Sequence, residues 1–585
     1  MNTHTSETQR MTDIRQFLRD TWRLARPYWS SEDRWAARSL LGVVVAMNLG
    51  LVGINVLVNR WQAVFFNAIQ EKNAAVFFHQ LWVFSGLAAA FITVAVYQLY
   101  LNQMLQIRWR RWLTDRYLNA WLSDRTYYRM QLMAGDADNP DQRIAEDVRL
   151  FVSRTLSLSL QFLSAAVTLV TFVGILWTLS GPVTILGWRI PGYMVWAALL
   201  YSIVGTWLTE KVGRRLVGLE FDQQRYEADF RFSLVRFREN TEGVALYRGE
   251  KDELVTFRQR FANVVRNWRD IMSLQKRLTG FTVGYAQLAN IFPYVVQGPR
   301  YFAGEIALGG LQQTADAFGQ VQSALSLIVD YQLYPQIAEW RAVVNRLTGF
   351  EAAMARSHPV PGSEHIERLA GPDGISLQGV DLNLPDGQPL LNGVATHIGS
   401  GESVLVTGPS GAGKSTLFRA IAGIWPFGRG RITMPPDARV LFLPQKPYLP
   451  IGTLREVVSY PMREAGATDA ELREALETVG LPKLVSRLDE NQNWAMQLSP
   501  GEQQRIAFAR ALIQKPDWLF LDEATSAVDE DTEQRLYALV KERLASTTVI
   551  SVGHRPTLGA FHNRRLVVRP NRDQAASLEE ATATT

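Results

Sequence analysis

The sequence predicts an α-helical membrane domain of about six spans fused to an α/β domain built around a phosphate-binding loop. Three observations carry this prediction. Long apolar runs rich in Trp, Tyr and Phe recur through residues 38–340. Arginine-rich stretches separate some of those runs but not others. From residue 372 the apolar runs shorten to strand length, and one of them feeds a glycine-rich loop.

The composition narrows the classes. A length of 585 residues is a soft prior for two to four domains. A formal charge of +5 is too small to imply a nucleic-acid partner, so none is expected. There are no cysteines, which excludes disulfides and thiolate metal sites. The N-terminus has charged residues but no apolar stretch ending in a small-residue cleavage site, so no signal peptide is expected.

A bilayer core takes about 20 mostly apolar helical residues. Residues 39–58, 80–101, 156–179, 190–208 and 278–297 meet that need, and a weaker sixth run lies near 314–337. Basic residues between the second and third runs, and again between the fourth and fifth, place both long connections and the N-terminus in the cytoplasm. Gln287 and Asn290 in the fifth run, and Gln320, Gln322, Asp330 and Gln332 in the sixth, should face a cavity or another helix rather than lipid. Together they favour a water-filled path. Ile14, Phe17, Leu18, Trp22 and Ala25 recur at helical spacing among arginines, which suits a helix lying in the membrane interface.

Residues 402–407 read as a buried strand, followed by Gly408, Pro409, Ser410, Gly411, Ala412, Gly413, Lys414, Ser415 and Thr416, and then by a helix. Glycines let backbone N–H groups close around phosphate oxygens, and the helix N-terminus adds a positive dipole end. Lys414 is placed to reach β- and γ-phosphates, and the Ser415 hydroxyl to bind Mg²⁺. A second strand, Asp517–Glu523, puts Asp522 and Glu523 at its carboxyl end, where doubly wound sheets bind ligands. Asp522 suits the Mg²⁺ shell and Glu523 suits a base that holds the attacking water.

With LSPGEQQR at 498–505, FLPQKPY at 442–448, SAVD at 526–529 and VGHR at 552–555, all in order, residues 375–556 resemble the ABC ATPases. The resemblance implies ATP and Mg²⁺ as ligands. It implies that Gln445 joins the Mg²⁺ site to the membrane part, that His554 contacts the γ-phosphate, and that Glu523, His554 and Gln445 form the catalytic set. Ser499, Gly501 and Glu502 of the signature would bind nucleotide held by a partner's phosphate loop. Two departures stand out: Pro500 within the signature, and Leu384 where many such ATPases carry an adenine-stacking aromatic.

IAGIWPFGRGRITMPP, NPDQRIAEDV and ENTEGVALYRGEKDE are similar to the subfamily D half-transporters, and RYFAGEIALGGLQQTADAFGQVQSALS to the bacterial BacA/SbmA-like transporters with a fused ATPase. That resemblance implies an exporter-type fold in the bacterial inner membrane, multi-pass, with the N-terminus and ATPase domain cytoplasmic. It implies import of large hydrophilic solutes such as peptides, peptide antibiotics or cobalamin. Export of peptides or lipid-like compounds and transport of fatty acyl-CoA remain as alternatives. One set of motifs and about six spans make a homodimer the economical assembly, with pairing to a different half-transporter left open. A soluble ABC ATPase is opposed by the spans, and an ATP-regulated channel by the intact Glu523 and His554.

The expected organisation is an N-terminal segment at 1–37, a transmembrane domain at 38–340, a linker at 341–374, a nucleotide-binding domain at 375–560 and a mobile tail at 561–585. Asn139–Val148 reads as a capped helix start, with Ile144 and Val148 on one face. It is expected to be a coupling helix that docks on the ATPase domain.

Overall fold

The computed structural model describes residues 3–133, 139–185, 188–327, 333–357, 365–372, 374–462, 467–571 and 574–581. The chain divides into two compact units. One holds residues 1–119 and 139–351, and the other holds 120–138 and 352–585.

The first unit is helical. Its elements are α1 (Thr3–Trp29), α2 (Arg34–Gln70), α3 (Ala74–Leu122, whose last three residues pass into the second unit), α5 (Val148–Ser180), α6 (Tyr193–Glu239), α7 (Thr241–Tyr247), α8 (Glu250–Phe302), α9 (Leu308–Leu327) and α10 (Leu333–Arg356), with α4 (Thr126–Met133) belonging to the second unit. A hairpin of β1 (Pro182–Ile185) and β2 (Trp188–Pro191) joins α5 to α6. Among the described residues, the segments Arg34–Gln70, Ala74–Met133 and Pro140–Ser180 are long and apolar enough to cross a membrane. The other three predicted runs fall on α6, α8 and α9, which are also helical but carry more polar residues. The fourth run starts later than predicted, because Trp188–Pro191 is a strand. The sixth starts earlier, at Leu308. Asp330 and Gln332 lie outside the described residues.

At 1.5 Å per residue, the 47 residues of α6 and 53 of α8 run to about 70 and 80 Å, far beyond a hydrocarbon core of about 30 Å. They pack along each other, and α9 packs against α2, α5, α6 and α8. A core of Phe172, Leu176, Met194, Ala198, Phe318 and Val321 joins α5, α6 and α9. Close approach of α9 to α2 requires Gly309, whose added Cβ would meet the Ala63 carbonyl at 1.9 Å. The Asn67 and Gln70 side chains of α2 accept from the first amides of α9 at 2.7 Å each.

The second unit is built on a ten-stranded mixed sheet. Its strands are β3 (Ile366–Ala370), β4 (Ile375–Asn383), β5 (Pro389–Ile398), β6 (Ser403–Thr407), β7 (Gly428–Met434), β8 (Val440–Leu443), β9 (Trp518–Asp522), β10 (Thr548–Val552), β11 (Arg564–Asn571) and β12 (Gln574–Glu580). Their order is β3-β7-β4-β5-β12-β11-β6-β10-β9-β8, with the run from β11 to β8 parallel. The helices are α11 (Lys414–Ile421), α12 (Leu454–Ser459), α13 (Asp469–Thr478), α14 (Pro500–Gln514) and α15 (Glu530–Arg543). The central strands are buried on both faces. Leu519 and Leu521 enter one core while Trp518 and Phe520 enter the other, the period of two that a covered strand dictates.

Two expectations are corrected here. Residues 341–356 continue α10 and 366–370 form β3, so most of the stretch read as a linker is regular structure. The tail read as mobile forms β11 and β12, where Leu566, Val568 and Ala576 are buried. Its alternating apolar residues outweigh its polar end, because β11 and β12 lie inside the sheet between β6 and β5.

Asn139–Val148, expected as a coupling helix, is helical from Pro140 onward. It belongs to the helical unit, where Ile144 is buried and Asp147 accepts from Arg143 at 2.6 Å and from Arg346 at 2.6 and 2.9 Å. Burial pushes the Asp147 carboxyl up, but the two guanidinium groups outweigh it and hold the group below its ordinary value. Within the second unit, α4 packs on the sheet domain, with Thr126 and Met130 buried and Leu132 packed against the sheet core.

Candidate active site

The carboxyl ends of β6, β9 and β10 lie side by side, since β10 pairs with both others in parallel. Residues leaving those three ends, with Gln445 from the end of the neighbouring parallel strand β8, form the candidate site. After β6 the chain turns through Gly408–Gly413 into α11. Gly413 holds φ 95°, and its added Cβ would run into Leu390 at 3.0 Å. Gly408 fits because β11 backs the loop: a Cβ there would meet the Val568 carbonyl at 2.6 Å. The strand misread as tail thus supports the phosphate loop.

Lys414 is buried and its Nζ donates to the Gly408 and Pro409 carbonyls at 2.9 and 2.7 Å. Burial lowers its pKa, while Glu523 and Asp522 act to raise it. Ser415 Oγ donates to Asp522 Oδ1 at 2.8 Å. Burial also raises the Asp522 pKa, more than the Ser415 hydrogen bond lowers it. A half-buried carboxylate beside a hydroxyl is a hard oxygen donor set, and it fits a small divalent cation such as Mg²⁺.

Glu523 leaves β9 with φ 50°, a left-handed conformation rare for a residue with a side chain, while its N–H donates to the Val552 carbonyl at 3.0 Å. That turn brings its carboxylate between two partners. Gln445 Nε2 donates to Oε2 at 3.1 Å, and His554 Nε2 lies 3.2 Å from Oε1. The structure therefore brings Lys414, Ser415, Gln445, Asp522, Glu523 and His554 together.

Ser499 caps α14 in a reciprocal box. Its Oγ accepts from the Glu502 amide at 3.3 Å and donates to the Glu502 carboxylate at 2.8 Å, which also accepts from the Ser499 amide at 2.9 Å. The Glu502 carboxylate is thus turned back onto Ser499. Pro500 falls at the first helical position, where its missing N–H costs nothing. Gly501 approaches the Ala527 carbonyl, which an added Cβ would meet at 3.0 Å. Leu384 lies in the turn between β4 and β5, bonded through its backbone to Gln388 and Gly387.

Sequence reasoning missed Gln504 and Arg510 on the same helix. Gln504 is buried, and its amide donates to the Gln445 carbonyl at 2.9 Å and Ser526 Oγ at 3.1 Å while accepting from the Ala527 amide at 2.9 Å. Arg510 donates to the Val457 and Tyr448 carbonyls, and burial lowers its pKa to about 10. Both lock α14 to the loop carrying Gln445. An extra glutamine or arginine within a charged helix carries no periodic signal that would mark this.

The comparisons with known proteins fit this arrangement. The "ABC transporter transmembrane region 2" family matches residues 24–302, and the "ABC transporter" family matches 391–526. The Escherichia coli inner membrane ABC transporter ATP-binding protein YddA is 36% identical over 91% of this chain and 94% of its own length. The mouse lysosomal cobalamin transporter ABCD4 is 30% identical over 92% of each chain. A solved bacterial Atm1-family ABC exporter with ATP bound is 18% identical, covers 91% of this chain and 94% of its own, and superposes with a TM-score of 0.68, which speaks for the fold. The chain belongs to the ABC transporter family, as a half-transporter related to subfamily D with its membrane and ATP-binding domains fused. It is an ATP hydrolase coupled to transport across a membrane.

Proposed function

We propose that two copies of this chain form a transporter in the bacterial cytoplasmic membrane that imports large hydrophilic solutes, such as peptides, peptide antibiotics or cobalamin-like compounds. The observation that carries this reading is a polar cluster within the apolar helices. Asn59 Nδ2 donates to Asp316 Oδ2 at 2.7 Å and to the Gln313 carbonyl at 3.0 Å, and Tyr294 Oη donates to Gln312 at 2.5 Å. Gln287 and Asn290 are exposed on the single chain. A carboxylate and amides at this depth are costly against lipid. They suit a wet path and a polar cargo more than an acyl chain. The ABCD4 relative, a cobalamin transporter by name, supports the same class.

In this reading Lys414 neutralises the β- and γ-phosphates of ATP, and the loop amides from Gly408 to Thr416 cradle them. Ser415, Asp522 and Gln445 hold Mg²⁺, which neutralises phosphate charge when bound. Glu523 orients and deprotonates the attacking water, and His554 contacts the γ-phosphate while aligning Glu523. Ser499 and Gly501 close the site from a second copy. The short helix α7 supports such a partner, because Leu246 and Tyr247 are 77% and 89% exposed in one chain. On α1, Ile14, Leu18 and Trp22 form an exposed apolar row that suits membrane lipid.

Vesicles carrying the protein with its ATPase domains outward, loaded with cobalamin or a labelled peptide, test the direction. Import predicts that the lumen empties when Mg-ATP is added outside. Filling from outside would instead support export, the second reading, which the exporter-type fold favours. ATP-dependent movement of acyl-CoA but of neither polar cargo would overturn the class.

A further inference from the structure

We propose that Arg125 is a positioning residue through which the chain segment leaving the membrane helices sets the phosphate-loop helix α11. The inference rests on the transporter reading above. Asp124 and Arg125 hold φ 48° and 57°, two consecutive left-handed residues with side chains. Such outliers persist only where surrounding structure enforces them. This kink starts α4 and aims the Arg125 guanidinium at the far end of α11, where Nη1 donates to the Ala422 carbonyl at 2.7 Å. Arg368 of β3 reaches the same end, with Nη2 donating to the Ile421 carbonyl at 2.8 Å. Gly423, at φ 71°, makes room for it, since an added Cβ would lie 2.1 Å from Arg368 Nη1. Two cations therefore close the carbonyl end of a helix whose amide end carries Lys414, Ser415 and Thr416.

α11 has only eight residues, about 12 Å, with no interior break. A rod that short moves as one body, so a displacement of α4 arrives at the phosphate end directly. Tyr128 of α4, Ser415 and Arg419 of α11, and Asp522 all line one cleft of about 770 Å³. The cleft leaves α11 room to shift.

The chain has no cysteine, so one label introduced at the exposed turn residue Lys72 reports on the membrane helices. The full chain carrying Lys72→Cys, reconstituted in lipid, is measured with and without Mg-ATP and vanadate, reading label-to-label distance between two copies alongside kcat and KM for ATP. Arg125→Ala should keep KM within about twofold, lower kcat at least about threefold and remove most of the nucleotide-dependent distance change, and Arg125→Lys should recover most of both. An alanine variant that switches like its parent overturns the proposal. So does one that raises KM with kcat unchanged, or one that loses ATP binding altogether, because Arg125 would then serve only the fold. A parent chain that hydrolyses ATP without any distance change would contradict the transport reading itself.

Discussion

Glu523 is held from both sides by Gln445 and His554, and its backbone sits in a conformation that costs of order 1–3 kcal/mol. A strained residue with a doubly contacted carboxylate is what a positioned base requires. Glu523→Gln keeps the shape and the Gln445 contact, so equilibrium ATP binding should persist while hydrolysis falls by about 10²–10⁴-fold. Unchanged turnover would remove Glu523 from that role. Gln504 makes a different demand. Replacing it with alanine leaves the Gln445 carbonyl and the Ala527 amide without their partner, a loss of about 1–3 kcal/mol, which thermal unfolding would register. Asp147 links stability to pH. Its folded pKa lies below its ordinary 3.8, so its contribution is whole above that value and is lost as pH falls through the folded one. Arg346→Met should destabilise the helical unit at neutral pH by about 2 kcal/mol, short of the roughly 3–5 kcal/mol for a lost sole partner, because Arg143 remains. The difference between variant and parent should shrink in unfolding curves taken below pH 3.8.

At the scale of elements, some of the structure was legible in the sequence and some was not. The order β6–loop–α11 was legible because glycine spacing, Lys414 and Ser415 are local. β9 was legible because an apolar run ends in two acids. The packing of Asn139–Val148 was not: the Asp147 carboxylate is held by Arg346, nearly two hundred residues away, and no local pattern carries that. α4 was missed because TYYRMQLM is short and mixed, and the sheet core that Leu132 packs against comes from the second half of the chain. Ile144→Asp places a charge at a buried site and should reduce the yield of folded protein in detergent, whereas a folded variant that binds ATP without transporting would support the coupling role. If a second copy covers Leu246 and Tyr247, polar substitution of both should leave the single chain folded, because they are exposed there, and lower ATPase activity.

For the whole molecule, the proposed homodimer leaves neither ATP site complete within one chain. Lys414, Asp522, Glu523 and His554 gather at one set of strand ends, while the Ser499 cap contacts none of them through the hydrogen bonds described. Two-fold pairing of two copies would bring each signature helix to the other's phosphate loop and give two equivalent sites. Complementation between damaged chains tests this directly. One chain carries Lys414→Ala and a differently tagged chain carries Ser499→Arg; each is purified as a homodimer, and the mixed dimer is isolated through both tags. The account predicts that neither homodimer traps nucleotide with vanadate, and that the mixed dimer does, because one phosphate loop and the opposite signature are intact in it. Trapping by the Ser499→Arg homodimer, or none by a well-folded mixed dimer, would contradict it.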